Sequence, residues 1–351
     1  MDVAAPWDPV PGYLNAAAAG LPPRVVTEAL AADVDRWRSG QASPPGYDAV
    51  VDRARRAFAR LVRTDVGRVA VGPQVSVFVA LVAATVPDRG RVVVPAGEFT
   101  SVLFPFLVHA DRGVVVEQVP AERLAEAVRP GVDVVAYSLV QSSDGTIIDA
   151  AAIGAAARDV GAMVLADLTQ AAGWLPVRAD DVDVTVTGAY KWLCAPRGSA
   201  FMTVGDAASA RLRPLLAGWY AGADPWGSVY GPRMELADDA RRFDVSPAWP
   251  VWVGTAPAVE LFADLLGSTD AATVAAATGH GGALADLVRR ELGIEPNGRP
   301  VLARPDPDGA RAAALTSAGC VVSSRAGGVR LAFHLWNDED DVDRVVEAFR
   351  R

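Results

Sequence analysis

One side chain in this sequence carries an amine. Lys191, in TGAYKWLCAPRG, is the single lysine among 33 basic residues, and the others are arginines. An amine can lose its proton and condense with a carbonyl, whereas a guanidinium stays charged. A chain that uses arginine elsewhere and keeps one lysine points to carbonyl chemistry there; the rival reading is a leftover surface lysine. Residues 162–170, AMVLADLTQ, tip the balance, because they read as a hydrophobic strand ending in Asp167. The next strand, 182–187, ends just before Lys191. Ligands of open α/β sheets bind beyond the carboxyl ends of the strands. A carboxylate and an amine are therefore expected at one sheet edge, from successive strands. The plain reading of Asp167 is a helix N-cap, with Thr169 or Gln170 opening the helix, but it does not account for the lone lysine.

Such a pair suits pyridoxal 5′-phosphate (PLP): a carboxylate keeps the pyridine nitrogen protonated, and a lysine holds the aldehyde carbon. A phosphate site is offered by VGPQVSVFVALVAATV (71–86), a Gly-Pro turn into a helix with free N–H groups and a positive dipole end. Ser76 adds a hydroxyl there. Thr187 and Tyr190, flanking the lysine, are further candidates, against a rival reading of strand-end packing. In the strand expected over 329–335, Val329, Leu331, Phe333 and Leu335 share one face, and Arg330, Ala332 and His334 the other. The Arg330 fork suits a carboxylate bidentately. An ion pair with the acidic run 338–341 is its rival, and Arg325 is a second candidate clamp with the same rival.

The elements that must position these groups alternate between helix and strand. Helices are predicted over 24–38, 47–62 and 150–160, the last with Asp149 as N-cap and Gly161 as its stop. Strands are predicted over 91–94, 114–119, 132–140, 162–166 and 182–187. This rhythm predicts an α/β fold: a large domain with a mainly parallel, mixed sheet flanked by helices. Residues 217–250, rich in Gly, Pro, Trp and Tyr, read as an irregular connection lining a cleft or a subunit contact. Helices near 255–267 and 270–291, a strand pair near 319–334 and a helix over 338–350 follow, forming a smaller α+β unit. The expected division is 23–249 for the large PLP-binding domain, with 1–22 and 250–351 for the small one.

Composition sets further bounds. The 351 residues are 51% hydrophobic, enough for a large core, and carry a net charge of −9. Nucleic-acid binding is not expected of so acidic a chain. Two cysteines without a CxxC pair fit a reducing cytoplasm. The first residues lack a basic n-region, and the longest apolar stretch, 75–86, is too short to span a bilayer. No metal site is expected.

The strings DLTQAAGW and TGAYKWLCAPRGSAF resemble class V enzymes of PLP fold type I, the aminotransferase and cysteine-desulfurase group. They are closer to its isopenicillin N epimerase-like or sulfoxide lyase-like branch than to housekeeping desulfurases. YLNAAAAGLPP (13–23) is similar to the N-terminal stretch that lines the pocket. The resemblance implies that Lys191 forms the Schiff base, Asp167 pairs with the pyridine nitrogen, and Gln170 bonds the ring 3′-oxygen with Ser142 nearby. It implies that Phe99 stacks on the ring where desulfurases have histidine. Val75 (by its backbone), Ser76, Thr187 and Tyr190 would hold the phosphate. Thr255 would reach the phosphate of a partner subunit in a homodimer with shared active sites, and Arg330 would grip the substrate carboxylate.

The expected reaction runs on an amino acid through an external aldimine and Cα deprotonation by Lys191. Transamination or β-elimination at a C–S bond is the leading outcome, with epimerisation or racemisation as the alternative. Neither Cys194 nor Cys320 reads as a reactive mobile-loop thiol, which disfavours sulfur relay. A non-catalytic PLP-fold binding protein is a rival that the intact Lys–Asp–Gln set argues against. A nucleotide-binding enzyme is another, and it lacks any GxGxxG or GxxxxGK[ST] motif.

Overall fold

The computed structural model describes residues 3–350. Short runs of β-branched and small apolar residues form strands where both faces can be buried. Seven make one sheet: β1 (Val69–Gly72), β2 (Arg91–Pro95), β3 (Val115–Val119), β4 (Val134–Ser138), β5 (Met163–Asp167), β6 (Val184–Gly188) and β7 (Ala200–Val204). Their spatial order is β1-β7-β6-β5-β4-β2-β3. Only β7 runs against its neighbours, and the other pairs are parallel. The expected mainly parallel, mixed sheet is thus the one observed.

Period-two alternation sends Val135 and Tyr137 of β4 into one core and Val134 and Ala136 into the other. Helices cover both faces. Phe58 of the helix Asp48–Leu61 and Ile153 of Ala150–Val160 enter the first core. Phe78 of Val75–Ala83 and Phe106 of Thr100–Leu107 enter the second. The Ala150–Val160 helix ends as its sequence predicts: the Asp149 carboxylate accepts from Ala152 N at 3.0 Å, and Gly161 takes φ 73°.

A second sheet holds β8 (Val301–Pro305), β9 (Ser323–Arg325) and β10 (Gly328–Ala332) in the antiparallel order β8-β10-β9. Val329, Leu331 and Phe333 pack with Leu284 of the helix Ala271–Glu291 and Val345 of the helix Glu339–Arg350. An N-terminal arm crosses to this sheet, where Tyr13 bridges Val321 and Asn15 bridges Ala332.

Several elements depart from expectation. β1, β7 and β8 were not predicted. β1 is only four residues, and its Gly72 opens the Gly-Pro turn that dominates the local pattern. The helix expected from 255 runs over Trp249–Leu266, because Pro250 falls in the first turn, where a missing N–H breaks no bond. The strand expected to reach 335 stops at Ala332; His334 N donates instead to Asn337 Oδ1 at 2.8 Å. No helix follows Asp167, so an N-cap role for it disappears; residues 169–174 form turns.

A buried ion pair fixes the approach to the helix Val75–Ala83. Asp244 accepts from Arg55 Nη2 at 2.6 Å and from Val71 N at 2.7 Å, which pins the end of β1.

Candidate active site

The carboxyl ends of β2, β4, β5 and β6 bring Glu98, Ser138, Asp167 and Thr187 to one edge, and the turn after β6 delivers Lys191. Lys191 is 6% exposed, and its ammonium has no hydrogen-bond or ion-pair partner among the described residues. Nζ lies 5.1 Å from the Phe99 ring centroid and 5.6 Å from that of Tyr190. Burial pulls the Lys191 pKa down to about 8; Asp167 opposes this, while Arg330, Arg325 and Arg197 reinforce it. A substantial share of the amine is therefore neutral near physiological pH, as a nucleophile requires.

Asp167 is also buried, and burial raises its pKa to about 6 against the pull of Thr169 and Lys191. Its Oδ1 accepts from Thr169 N at 2.8 Å. Asp167 and Lys191 act on each other's charge, yet no ion pair joins them. A carboxylate and an amine held near but apart leave room for a group between them.

The structure places the other expected residues as follows. The Thr187 hydroxyl is buried without a partner. The helix Val75–Ala83 packs against β6, and its N-cap, Gln74, makes no side-chain cap, so the N–H groups of Val75 and Ser76 are free to bind an anion. Arg330 is 2% exposed; its Nη1 donates to Ser142 O, while Nε and Nη2 have no partner. Those two donors share one edge of the guanidinium, the edge that a carboxylate takes bidentately. Ser142 therefore contributes a carbonyl that orients Arg330.

One expectation needs correction, and a second residue has further partners. Thr255 is fully buried in its own chain; its hydroxyl donates to Val251 O and bonds Ser199 Oγ, each at 2.8 Å, so it cannot reach a partner subunit's phosphate. Gln170 is a wedge between chain segments. Its Nε2 donates to Ala17 O at 2.9 Å, and its Oε1 accepts from Trp192 Nε1 at 2.6 Å, leaving one N–H for any ring oxygen.

Other residues at the site were not foreseen. Glu98, buried, accepts from Phe99 N, Ser138 N, Ser138 Oγ and Gln141 Nε2, and so fixes the backbone that carries Phe99. Its position just past β2 matches that of Asp167 at the end of β5, a parallel the sequence could have revealed. Arg197 lies over the Tyr190 ring at 5.4 Å. His334 accepts from Leu335 N on Nδ1 and meets Trp192 O through Nε2 at 3.0 Å, so Nε2 carries the proton. Burial depresses its pKa to about 3, so the ring stays neutral as a buckle beside Lys191.

The arm's Gly20 seals the same turn. Its N donates to Tyr190 O at 3.0 Å, and a Cβ there would fall 2.1 Å from Lys191 O and 2.8 Å from Cys194 Sγ. Gly20→Ala should therefore displace the Lys191 turn, lowering stability by about 1–3 kcal/mol and weakening cofactor retention. Thermal unfolding with and without added PLP checks both; an unchanged melting temperature in each would contradict the tight fit.

A mainly parallel sheet with a buried amine and carboxylate at its edge defines a class of protein. The fold matches a cystine C–S lyase, C-DES, with a TM-score of 0.84 at 18% identity, covering 96% of each chain. It also matches the cysteine desulfurase CsdA of Escherichia coli, with a TM-score of 0.82 at 19% identity, over 99% of this chain and 96% of that one. In sequence, the chain is 25% identical to the uncharacterized aminotransferase YcbU of Bacillus subtilis, over 84% of this chain and 81% of that protein. It is 27% identical to isopenicillin N epimerase of Streptomyces clavuligerus, over 74% and 70%. The family described as aminotransferase class-V matches residues 72–283, more than half of the chain. The chain belongs to that family, and it is a PLP-dependent enzyme acting on an amino acid.

Proposed function

We propose that Lys191 and Asp167 hold PLP between them and that the enzyme carries out transamination or elimination at a C–S bond on an amino acid. The carrying observation is the buried, unpartnered Lys191 amine beside an Asp167 carboxylate with which it forms no ion pair. The orphaned Thr187 hydroxyl and the free first-turn N–H groups of Val75 and Ser76 suit its phosphate, with Tyr190 alongside. When bound, PLP supplies an electron sink for the charge that develops at the substrate Cα.

The chain's own residues do the rest. Lys191 accepts and returns the Cα proton, in reach of its neutral form because its pKa lies near 8. Arg330 holds the α-carboxylate through Nε and Nη2. Phe99, its backbone N–H held by Glu98, would stack on the cofactor ring. Cys194 and Cys320 are both buried with raised pKa values, so neither supplies the thiolate of a sulfur relay. The aminotransferase and C–S lyase among the similar proteins favour those two outcomes; the similarity to an epimerase keeps epimerisation as the second reading.

The two sheets support the division into a large and a small domain, although the helix Trp249–Leu266 packs on Arg24–Arg38 and Asp48–Leu61 of the large one. A homodimer would cover the exposed apolar side chains Phe104, Val108, Tyr230 and Met234. A reducing cytoplasm suits the two free cysteines, and no helix among the described residues is long and apolar enough to cross a membrane.

Borohydride reduction of the yellow protein, followed by peptide mass mapping, should place the reduced cofactor on Lys191. Colourless protein that takes up no PLP would refute the proposal.

A further inference from the structure

We propose that the substrate is an amino acid whose side chain bears a second anion, and that Arg325 on the β9–β10 hairpin holds that anion while Arg330 holds the α-carboxylate. The inference rests on the proposed function and narrows its substrate class.

The register of the small sheet places the two guanidiniums together. Arg330 pairs with Ser323, and Gly328 pairs with Arg325. Cross-strand partners point to one face, and so do residues two apart on a strand. Arg325 and Arg330 therefore project from the same face, offset by roughly 7 Å along the strand. Arg330 Nη1 donates to Ser142 O in the loop beyond the carboxyl end of β4, so this face of the small sheet turns towards the edge that carries Asp167 and Lys191. Long, flexible side chains starting at that offset can converge on the two ends of a short dianion.

Their lack of partners is the second observation. Arg330 buries two unpartnered donors. Arg325 donates only to Ser324 O, at 2.8 Å, and has no carboxylate within ion-pair reach among the described residues. Arg325 is exposed, and unpaired arginines occur elsewhere on the surface; what marks Arg325 and Arg330 is that both lie close enough to the Lys191 amine to lower its pKa, with no ion-pair partner of their own among the described residues. Neither nearby carboxylate forms an ion pair with them: Asp167 accepts from Thr169 N, and Glu98 from four other neutral donors. Binding one α-carboxylate at Arg330 would still leave Arg325 unmatched. The cofactor phosphate candidates, Thr187 and the helix Val75–Ala83, belong to the large sheet, whereas Arg325 belongs to the small one.

The test compares acids with their neutral amides on the holoenzyme. L-aspartate, L-glutamate and L-cysteine sulfinate are titrated beside L-asparagine and L-glutamine, and half-saturation is read from the absorbance of the bound cofactor. The acids should half-saturate at concentrations at least about tenfold lower than the amides, the value of one charge-assisted contact. Arg325→Gln should shrink that ratio to about twofold or less. Calorimetry with succinate and succinamate, which carry no amine, should show the same dependence on Arg325. Amides that match the acids, or an acid preference that survives Arg325→Gln, would overturn this inference and leave the proposed function standing. Silence from every amino acid, with no adduct on Lys191, would overturn the proposed function and this inference with it.

Discussion

Lys191→Ala should lose turnover by at least about a thousandfold, with no borohydride-trapped adduct on the protein. No second amine side chain exists to take over, since every other basic residue is an arginine or a histidine. Lys191→Arg should be equally inactive, because a guanidinium keeps its proton and cannot condense with a carbonyl. Lys191→Ala should still fold: the side chain makes no hydrogen bond, and the Lys191 carbonyl that meets Cys194 N is retained. Turnover kinetics alongside circular dichroism separate loss of chemistry from loss of structure. Normal turnover in the alanine variant would remove Lys191 from the mechanism.

The second large effect has opposite signs for activity and stability. Asp167→Asn should lower turnover by roughly a hundredfold or more, since an amide cannot keep the pyridine nitrogen protonated. The same change should stabilise the cofactor-free protein at pH 8. Burial raises the Asp167 pKa to about 6 in the folded chain, above the usual carboxylate value. Below the unfolded value both states are protonated and there is no penalty. As pH rises through that value towards 6, the unfolded chain ionises first, so the wild-type apoprotein loses stability; above 6 the full deficit, about 1–3 kcal/mol, persists. Asparagine does not ionise, and its side-chain oxygen can still accept from Thr169 N. Denaturant melts of both apoproteins should therefore diverge less at pH 4.5, early in this window, than at pH 8, where the full deficit applies. Equal stability at both would show that Asp167 stores no such strain.

The central sheet and the Asp167–Lys191 pair were legible because each leaves a local signature. Long apolar runs mark buried parallel strands, and a lone lysine stands out against arginine. Asp149 and Gly161 likewise end their helix by chemistry confined to a few residues. What stayed hidden depends on distant partners. Gln170 reads as a ring contact, and only the fold shows that Ala17 and Trp192 also hold it. Thr255 looks like an exposed hydroxyl until Ser199 closes over it. The place of Glu98 just past a strand was readable, but only the folded loop shows the four donors collected around it. β1 runs straight into a Gly-Pro turn and β8 carries Arg304 and Pro305, so neither shows a plain apolar run, and their pairing with β7 and β10 decides them.

The arm that joins Asn15 to Ala332 has a bearing on biosynthesis. Its bridging partners, Val321 and Ala332, lie far along the chain from it, so during translation the arm leaves the ribosome long before either exists. The large sheet and the Gly20 contact to Tyr190 can form first, whereas the arm's seat on the small sheet and the His334 contact to the Trp192 carbonyl close only afterwards.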